Sequence, residues 1–341
     1  MATDSFGPVS AEAQLEIREY RDGDEVAILE AYNRIFSAVV PGFRPRSLEA
    51  WRWQFLENPA GRRMWLAFDS DGRVINQQAG VPLRMRFDGE AAVWTQVVDS
   101  FSDPEHRSGL KKPGLFTIAA MPFSDNYGGP DRDAVMYGIP PRDAFRIGQK
   151  FLGYEAVRNQ NKLVLMSDRA SLGSAGGVDV EEVERFPESI VELFEAAAPR
   201  FGAATVRDAT YLNWRFRHPE REYSRAIARR AGKIVGYAVY REGEFDHSRD
   251  GLVCDWLTAP DQPEAASALW AWLAESSFEC GVERLVAVFP ETAPDWVAFQ
   301  LAGFRAERTR FYMVARAYRR PYDMRWLYRN WYYTLGDLDR C

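Results

Sequence analysis

The sequence predicts an α/β chain made of two tandem units, in which strands and helices alternate and one order of elements is run through twice. Two observations carry that expectation. The first is size and composition. A length of 341 residues suffices for two domains of roughly 150 residues each, and a hydrophobic content of 46% is that of a folded chain. The second is a faint internal repeat, the pattern to seek before any motif. Trp53 and Phe55 lead to Asn58-Pro59, and thirteen residues after Pro59 comes Gly72. Trp214 and Phe216 lead to His218-Pro219, and thirteen residues after Pro219 comes Gly232. Asp99 stands five residues before Pro104 as Asp255 stands five before Pro260, and thirteen residues separate Pro140 from Gly153 and Pro290 from Gly303. Four coincidences in the same order favour duplication.

The elements follow in order. Leu15–Tyr20 alternates like a strand, and Asp24–Phe36 places Val26, Leu29, Ile35 and Phe36 at helical spacing. Arg62–Phe68 and Val74–Phe87 read as strands joined at the Asp71-Gly72 turn. Val93–Phe101 is a further strand, Gly114–Pro122 a helix, Ala134–Ile139 a short buried strand, and Asp143–Leu152 a helix stopped by Gly153. Ser171–Asp179, rich in Gly and Ser, is the expected linker, with residues 1–170 and 171–341 as the two units. The second series has helices at Ile190–Ala197 and Ala209–Phe216 and strands at Ala226–Arg230, Ile234–Tyr240 and Gly251–Leu257. A helix at Glu264–Phe278, a strand at Arg284–Phe289, a helix at Asp295–Leu301 and a strand at Arg310–Ala315 complete it. Trp51, Trp53, Trp270, Trp272 and Trp296 fall at helical spacing and are expected in the core.

A net charge of −6 and a pI near 5.4 argue against binding nucleic acid by neutralising phosphates. No apolar run reaches the ~18 residues of a membrane span, and Met1–Gln14 lacks the pattern of a secretory signal, so a cytoplasmic protein is expected. Cys254, Cys280 and Cys341 form no CxxC pair, which points away from a disulfide framework and a thiolate zinc site, and His106, His218 and His247 give no metal-ligand spacing.

The loop after the fourth strand, Val93–Phe101, carries Arg107, Ser108, Gly109, Lys111, Lys112 and Gly114 before a helix start. Backbone N–H groups and the helix dipole at such a place suit a pyrophosphate, with the basic side chains adding charge. An ordinary strand-to-helix turn fits the same residues. Gln96-Val-Val-Asp99, Pro104-Glu-His-Arg107 and Gly114-Leu-Phe116 together resemble the acetyl-CoA-binding core of GNAT superfamily N-acetyltransferases, in particular a bacterial tandem-GNAT group. The resemblance continues through Tyr137-Gly138-Ile139-Pro140, Gly153-Tyr154, Tyr211-Leu-Asn-Trp214 and Asn330-Trp331 to Asp339, nearly the whole chain. It implies two tandem GNAT-type domains of the α+β kind, each a mixed, mostly antiparallel sheet flanked by helices. It also implies acetyl-CoA as acyl donor, its pantetheine arm beside Phe101 and Ser102 and its pyrophosphate on Arg107, Ser108, Gly109, Gly114, Leu115 and Phe116. The usual Arg-x-x-Gly-x-Gly/Ala spacing is stretched here, and the counterpart loop of the second half, from Asp261, has no glycine and carries acid. The second half is therefore expected to hold no coenzyme A and to shape the acceptor site.

An acceptor amine attacks a thioester only when unprotonated, so a proton acceptor is needed. Asp99 is the first candidate for base or orienting group, against the alternative of an Asp that bonds a neighbouring loop, a reading its repeat partner Asp255 supports. Glu105, His106 and Tyr137 follow. The tyrosine that GNAT enzymes often carry four residues before the Gly-aromatic signature is Gln149 here and Phe299 in the second half, which leaves the acid unassigned. The basic and aromatic stretch from Arg316 reads either as an anionic or sugar-binding surface or as a docked C-terminal segment. The leading expectation is an acyl-CoA-dependent N-acyltransferase, most simply an N-acetyltransferase, acting on a primary amine of a small or sugar-linked acceptor without a metal. The alternatives are a non-catalytic acyl-CoA sensor or scaffold and an aminoacyl transferase of the peptidoglycan-bridge type.

Overall fold

The structure is a computed structural model that describes residues 15–106, 114–167, 176–278 and 280–338. Its first half contains β1 (Glu16–Glu19), α1 (Glu25–Val39), α2 (Leu48–Phe55), β2 (Arg63–Phe68), β3 (Val74–Phe87), β4 (Glu90–Ser102), α3 (Leu115–Tyr127), β5 (Asp133–Gly138), α4 (Arg142–Phe151) and β6 (Glu155–Met166). The second contains β7 (Asp179–Glu182), α5 (Ile190–Ala197), β8 (Ala203–Thr205), α6 (Ala209–Arg215), β9 (Ser224–Arg230), β10 (Lys233–Glu242), β11 (Asp250–Thr258), α7 (Pro263–Phe278), β12 (Arg284–Ala287), α8 (Pro294–Leu301), β13 (Arg305–Ala317), α9 (Met324–Asn330) and β14 (Trp331–Tyr332). No helix among the described residues is long and apolar enough to cross a membrane.

All strands join one sheet. Its order is β1-β2-β3-β4-β5-β13-β6-β12-β11-β10-β9-β7, with β8 on β3 and β14 on β8. Neighbours on the main path are antiparallel except β4 with β5 and β11 with β12. Read outward from its centre, the sheet repeats itself, because β5-β4-β3-β2 on one side matches β12-β11-β10-β9 on the other. At the centre the final strand of each half has crossed over. β13 pairs with β5, Ala315 facing Tyr137, and β6 pairs with β12, Val164 facing Val286. Neither half-sheet is complete without a strand from the other.

The sequence repeat sits on that same dyad. α2 and α6 are its counterparts, and their tryptophans stack at 5.4 Å with an interplanar angle of 21°. The Trp53 indole N–H donates to the Trp214 carbonyl at 2.8 Å, and the Trp214 indole N–H donates to the Trp53 carbonyl at 2.9 Å. Both indole donors, that of buried Trp53 and that of half-buried Trp214, are thereby satisfied.

Local chemistry explains the elements the sequence foretold and those it did not. Ile28, Ala31, Tyr32 and Ile35 of α1 are buried at the i, i+3, i+4, i+7 spacing of an amphipathic helix. α3 runs past Pro122 to Tyr127, beyond the expected stop. The proline lies on the outward side with Ile118 and Met121, so the carbonyl that loses its helical N–H is close to water. β6 has no apolar alternation. Its Arg158, Gln160 and Lys162 are buried because each finds a partner: Glu291 at 2.6 Å, the Tyr333 hydroxyl at 2.8 Å, and Asp246 with Glu307 respectively.

Trp53→Ala and Trp214→Ala should each cost about 3–5 kcal/mol, and the double variant distinctly less than their sum. Urea denaturation of the four proteins checks this; full additivity would refute reciprocal support. His218 meets the edge of Trp53 at 4.5 Å and accepts the Glu220 N–H on Nδ1 at 3.0 Å. Burial, followed by nearby arginines, pushes its pKa down to about 3. The unfolded chain takes up this proton below its ordinary value of 6.5 and the folded chain does not, so stability falls as pH drops from 6.5 towards 3. His218→Gln should flatten that part of the stability–pH curve, as measured by urea midpoints between pH 7 and 4.

Candidate active site at a splayed strand pair

β4 and β5 run in parallel register from Val93 opposite Asp133 to Gln96 opposite Tyr137, where the ladder ends. Two sequence features force them apart. Pro140 and Pro141, just after β5, offer no N–H to continue the pairing. On β4, Val98 faces Ala79 and Phe101 faces Gln77, so Asp99 and Ser100 together oppose Gln78. This is a β-bulge, and Asp99 takes its left-handed position at φ 51°. Aspartate tolerates that conformation better than most residues. At the closed end the buried Asp133 holds the pair together, accepting from Arg63 at 2.8 and 2.9 Å and from Thr95 at 2.7 Å. Gly138 stands where the strands part, and a Cβ there would lie a tight 3.0 Å from the Val97 carbonyl oxygen.

The resulting cleft holds a cavity of about 350 Å³. Asp99 and Ser100 of the bulge line it, with Tyr32 and Phe36 of α1, Phe116 of α3, Ala144 of α4, and Tyr154. Val314 and Ala315 of β13 form part of the wall, so the cavity is made by both halves of the chain. The Asp99 carboxylate is ion-paired with Arg46, whose guanidinium lies 4.6 Å from the centre of the Tyr32 ring and donates to its hydroxyl at 3.2 Å. Gln54 donates to Asp99 at 3.4 Å, and Gln77 donates to its backbone carbonyl at 2.9 Å. Burial raises the Tyr154 phenol well above its ordinary value and keeps it protonated.

The cleft brings Asp99, Tyr137 and Phe116 together and separates them from Glu105. Glu105 is exposed and lines a second cavity of about 550 Å³ between α1 and the β2–β3 turn, where Arg34 pairs with Asp103 at 2.7 Å. The Tyr137 hydroxyl is fully engaged: it donates to the Asp337 carbonyl at 2.7 Å, which gives it a place in the packing of the C-terminal segment. Phe101 is buried against Tyr32 and Phe36, and Ser102 is bonded to Asn76, both beyond the bulge on β4. Gly114 caps α3, whose first turn contains Leu115 and Phe116. Arg107, Ser108 and Gly109 lie outside the described residues, and so does the side chain of His106. Arg46, Gln54 and Tyr154 were not singled out from sequence. The repeat could have found Arg46, because it precedes Trp53 by seven residues as Arg207 precedes Trp214.

The second half repeats the construction and then fills it. β11 and β12 pair from Asp250–Arg284 to Val253–Ala287 and part; Cys254 is the extra residue of a matching bulge. The C-terminal segment occupies the space. Tyr332 donates to the Trp256 carbonyl at 2.7 Å, Thr334 to Asp255 at 2.9 Å, and Arg207 to Asp337 at 2.6 Å. Arg215 donates to the carbonyls of Gly336 at 2.7 Å and Leu338 at 3.1 Å. Gly336 passes so near β11 that a Cβ would sit 3.1 Å from the Cys254 carbonyl oxygen. Trp331, Tyr332 and Tyr333 are buried, as a docked segment requires. Burial raises the Asp255 carboxyl above its ordinary value, with Arg207 pulling against it.

A splayed parallel pair beside a strand bulge, met by the start of a long helix, is a recognisable design. Among solved structures the chain is similar to a conserved protein from Enterococcus faecalis V583, described as a "Probable N-Acyltransferase", with a TM-score of 0.67 and 14% identity over 93% of this chain and 74% of that one. A GCN5-related N-acetyltransferase from Anabaena variabilis ATCC 29413 matches with a TM-score of 0.64 and 13% identity over 89% and 73%. The fold is that of the GCN5-related N-acetyltransferases. Its doubling in this chain has a parallel in a tandem GNAT protein from the clavulanic acid biosynthesis pathway, with a TM-score of 0.56 and 14% identity over 91% of this chain and 100% of that one. No family model and no curated protein matches the sequence. In GNAT terms the first cleft is open and the second is closed by the chain's own end.

Arg207→Met should lower stability by about 3–5 kcal/mol, because it leaves Asp255 and Asp337 buried together without their cation. Urea denaturation checks this, and a loss below about 1 kcal/mol would show that the C-terminal segment is not held by this network.

Proposed function

We propose that the chain is an acyl-CoA-dependent N-acyltransferase, with acetyl-CoA as donor and a primary amine as acceptor. The observation that carries the reading is the open cleft at the Asp99 bulge, in a fold shared with N-acetyltransferases. The thioester would enter between β4 and β5, where β4 beyond Gln96 is free of the β5 ladder and can offer backbone groups to the pantetheine amides. The pyrophosphate would lie at the start of α3, on Gly114, Leu115 and Phe116, with Arg107, Ser108 and Gly109 before it. Phe101 and Ser102 would continue the strand that the pantetheine follows.

Asp99 would orient the acceptor amine and draw its proton as it attacks the thioester carbon. Tyr154 is our candidate proton donor to the departing thiolate, because it lines the cavity and stays protonated. Glu105 and Tyr137, the other acid–base candidates, are placed less well for this work, one in a separate cavity and the other bonded to Asp337. We place the units at residues 1–170 and 171–341, the second a degenerate copy with an aromatic, basic tail that holds no coenzyme, and we expect a cytoplasmic enzyme that needs no metal.

Calorimetric titration with acetyl-CoA tests the reading. Binding should be seen with the unaltered protein and lost in Gly114→Trp, whose indole would cover the helix start. Tyr154→Phe should bind acetyl-CoA normally while kcat, followed by thiol release, falls about 100-fold. Absence of binding to the unaltered protein would sink the proposal.

A further inference from the structure

Several polar side chains line the cavity at the splayed strands, and most are engaged by the protein itself. Asp99 is paired with Arg46, which also donates to the Tyr32 hydroxyl. The Ser100 hydroxyl donates to the Val98 carbonyl at 3.4 Å, and that of Tyr137 donates to the Asp337 carbonyl. Gln78 stands at the Tyr154 phenol, where its amide favours the ionised form. Gln96 is the exception. It is 7% exposed and lines the cavity, yet its side-chain amide makes no hydrogen bond to any described residue.

A carboxamide has two N–H donors and an acceptor oxygen. Buried polar groups nearly always find partners, because leaving them unmet is unfavourable. For a side chain this deep, on the wall of a cavity, the partner is something that enters the cavity. Its position tells which molecule that is. Gln96 faces Tyr137 at the last pair of the β4–β5 ladder, the closed end of the cleft. The pantetheine of the reading above follows β4 on the other side of that point, where the ladder has ended. Asp99 is three residues away, roughly 10 Å of strand. An acceptor with its amine at Asp99 and its body along the cleft would bring its far end to Gln96. A charged group there would lose its water beside a neutral amide, whereas a hydroxyl both gives and accepts and so answers the amide on both sides.

We infer that the acceptor is an amine that carries a hydroxyl some bonds away along its chain, and that Gln96 is the specificity-determining residue that bonds it. Between the two polar ends the acceptor would meet Tyr32 and Phe36, which line the same cavity. An amine without the hydroxyl would displace water from Gln96 and return nothing to the amide, which is how a buried polar group discriminates. This inference rests on the acyltransferase reading above.

The test uses the full-length chain, acetyl-CoA and matched pairs of primary amines. Each amino alcohol, its hydroxyl at the far end, is compared with the alkylamine of the same length. A distant hydroxyl leaves the basicity of the amine nearly unchanged, so intrinsic reactivity within a pair is close to equal. At the chain length that spans the two residues, kcat/KM should be higher for the amino alcohol on the order of 10-fold, the worth of one neutral hydrogen bond. In Gln96→Met, which keeps the length of the side chain, both members of that pair should be used equally. Without ligand this variant should melt no lower than the unaltered protein, because it removes an amide that the fold does not use. A clear fall in its melting temperature would overturn the inference by showing that the amide serves the fold. Equal use of every pair by the unaltered enzyme would also overturn it, while leaving the acyltransferase reading intact. A preference that survives in Gln96→Met would overturn the assignment to Gln96. No turnover with any amine, together with no binding of acetyl-CoA, would overturn the acyltransferase reading and this inference with it.

Discussion

Everything in this molecule depends on the exchange of β6 and β13. A strand left at the edge of a sheet exposes a row of backbone donors and acceptors, and β5 and β12 would be such edges if β13 and β6 were withdrawn from them. Instead the last strand of each half covers the other, Val314 and Ala315 lying against Gly138 and Tyr137. The Trp53–Trp214 pair fixes the same dyad from the helices, with two hydrogen bonds that are geometrically the same bond drawn twice. The open cleft inherits one wall from this arrangement. It belongs to the duplicated whole, and neither half possesses it alone.

Duplication also allowed the two copies to diverge in what they enclose. In both, an aspartate in or next to a strand bulge faces an arginine that precedes a short helix. In the second copy large polar side chains close on the C-terminal segment. Arg207, Asp255, Tyr237, Thr334 and Asp337 then satisfy one another in the interior. A buried network of that kind adds little net stability compared with apolar packing, but it penalises any other docking of the segment that leaves a charge unpaired. In the first copy the same frame carries smaller residues and remains accessible. One scaffold thus leaves an open cleft in one copy and forms a socket for its own chain in the other.

The sequence made part of this legible and hid part of it, for identifiable reasons. The β2–β3 hairpin, α1, α5 and α7 announced themselves through turn residues and apolar spacing. The repeated Trp-x-Phe pairs marked the dyad, though nothing in the spacing said that the two tryptophans would meet. β6 escaped notice because Arg158, Gln160 and Lys162 look like surface residues until Glu291, Tyr333, Asp246 and Glu307 are brought to them from distant segments. Tyr137 was legible as a buried aromatic, but the bond from its hydroxyl to Asp337 depends on a contact two hundred residues away in the chain. Asp99 stood out through its repeat partner, whereas the bulge that gives it a left-handed backbone becomes visible only in the strand register.

The crossed strands also set an order of events during synthesis. The bulge, the aspartate and the helix start of the open cleft are all made within the first third of the chain, while β13, which completes the wall, spans Arg305–Ala317. A nascent first half emerging from the ribosome therefore presents β5 as an unfinished edge and must wait until β13 has been made. Over that interval β6 lies next in sequence after β5 and α4, an available but incorrect partner for the vacant position. Reaching the mature sheet means giving β6 to β12 and accepting β13 in its place, so the cleft comes into being only after β13 has emerged.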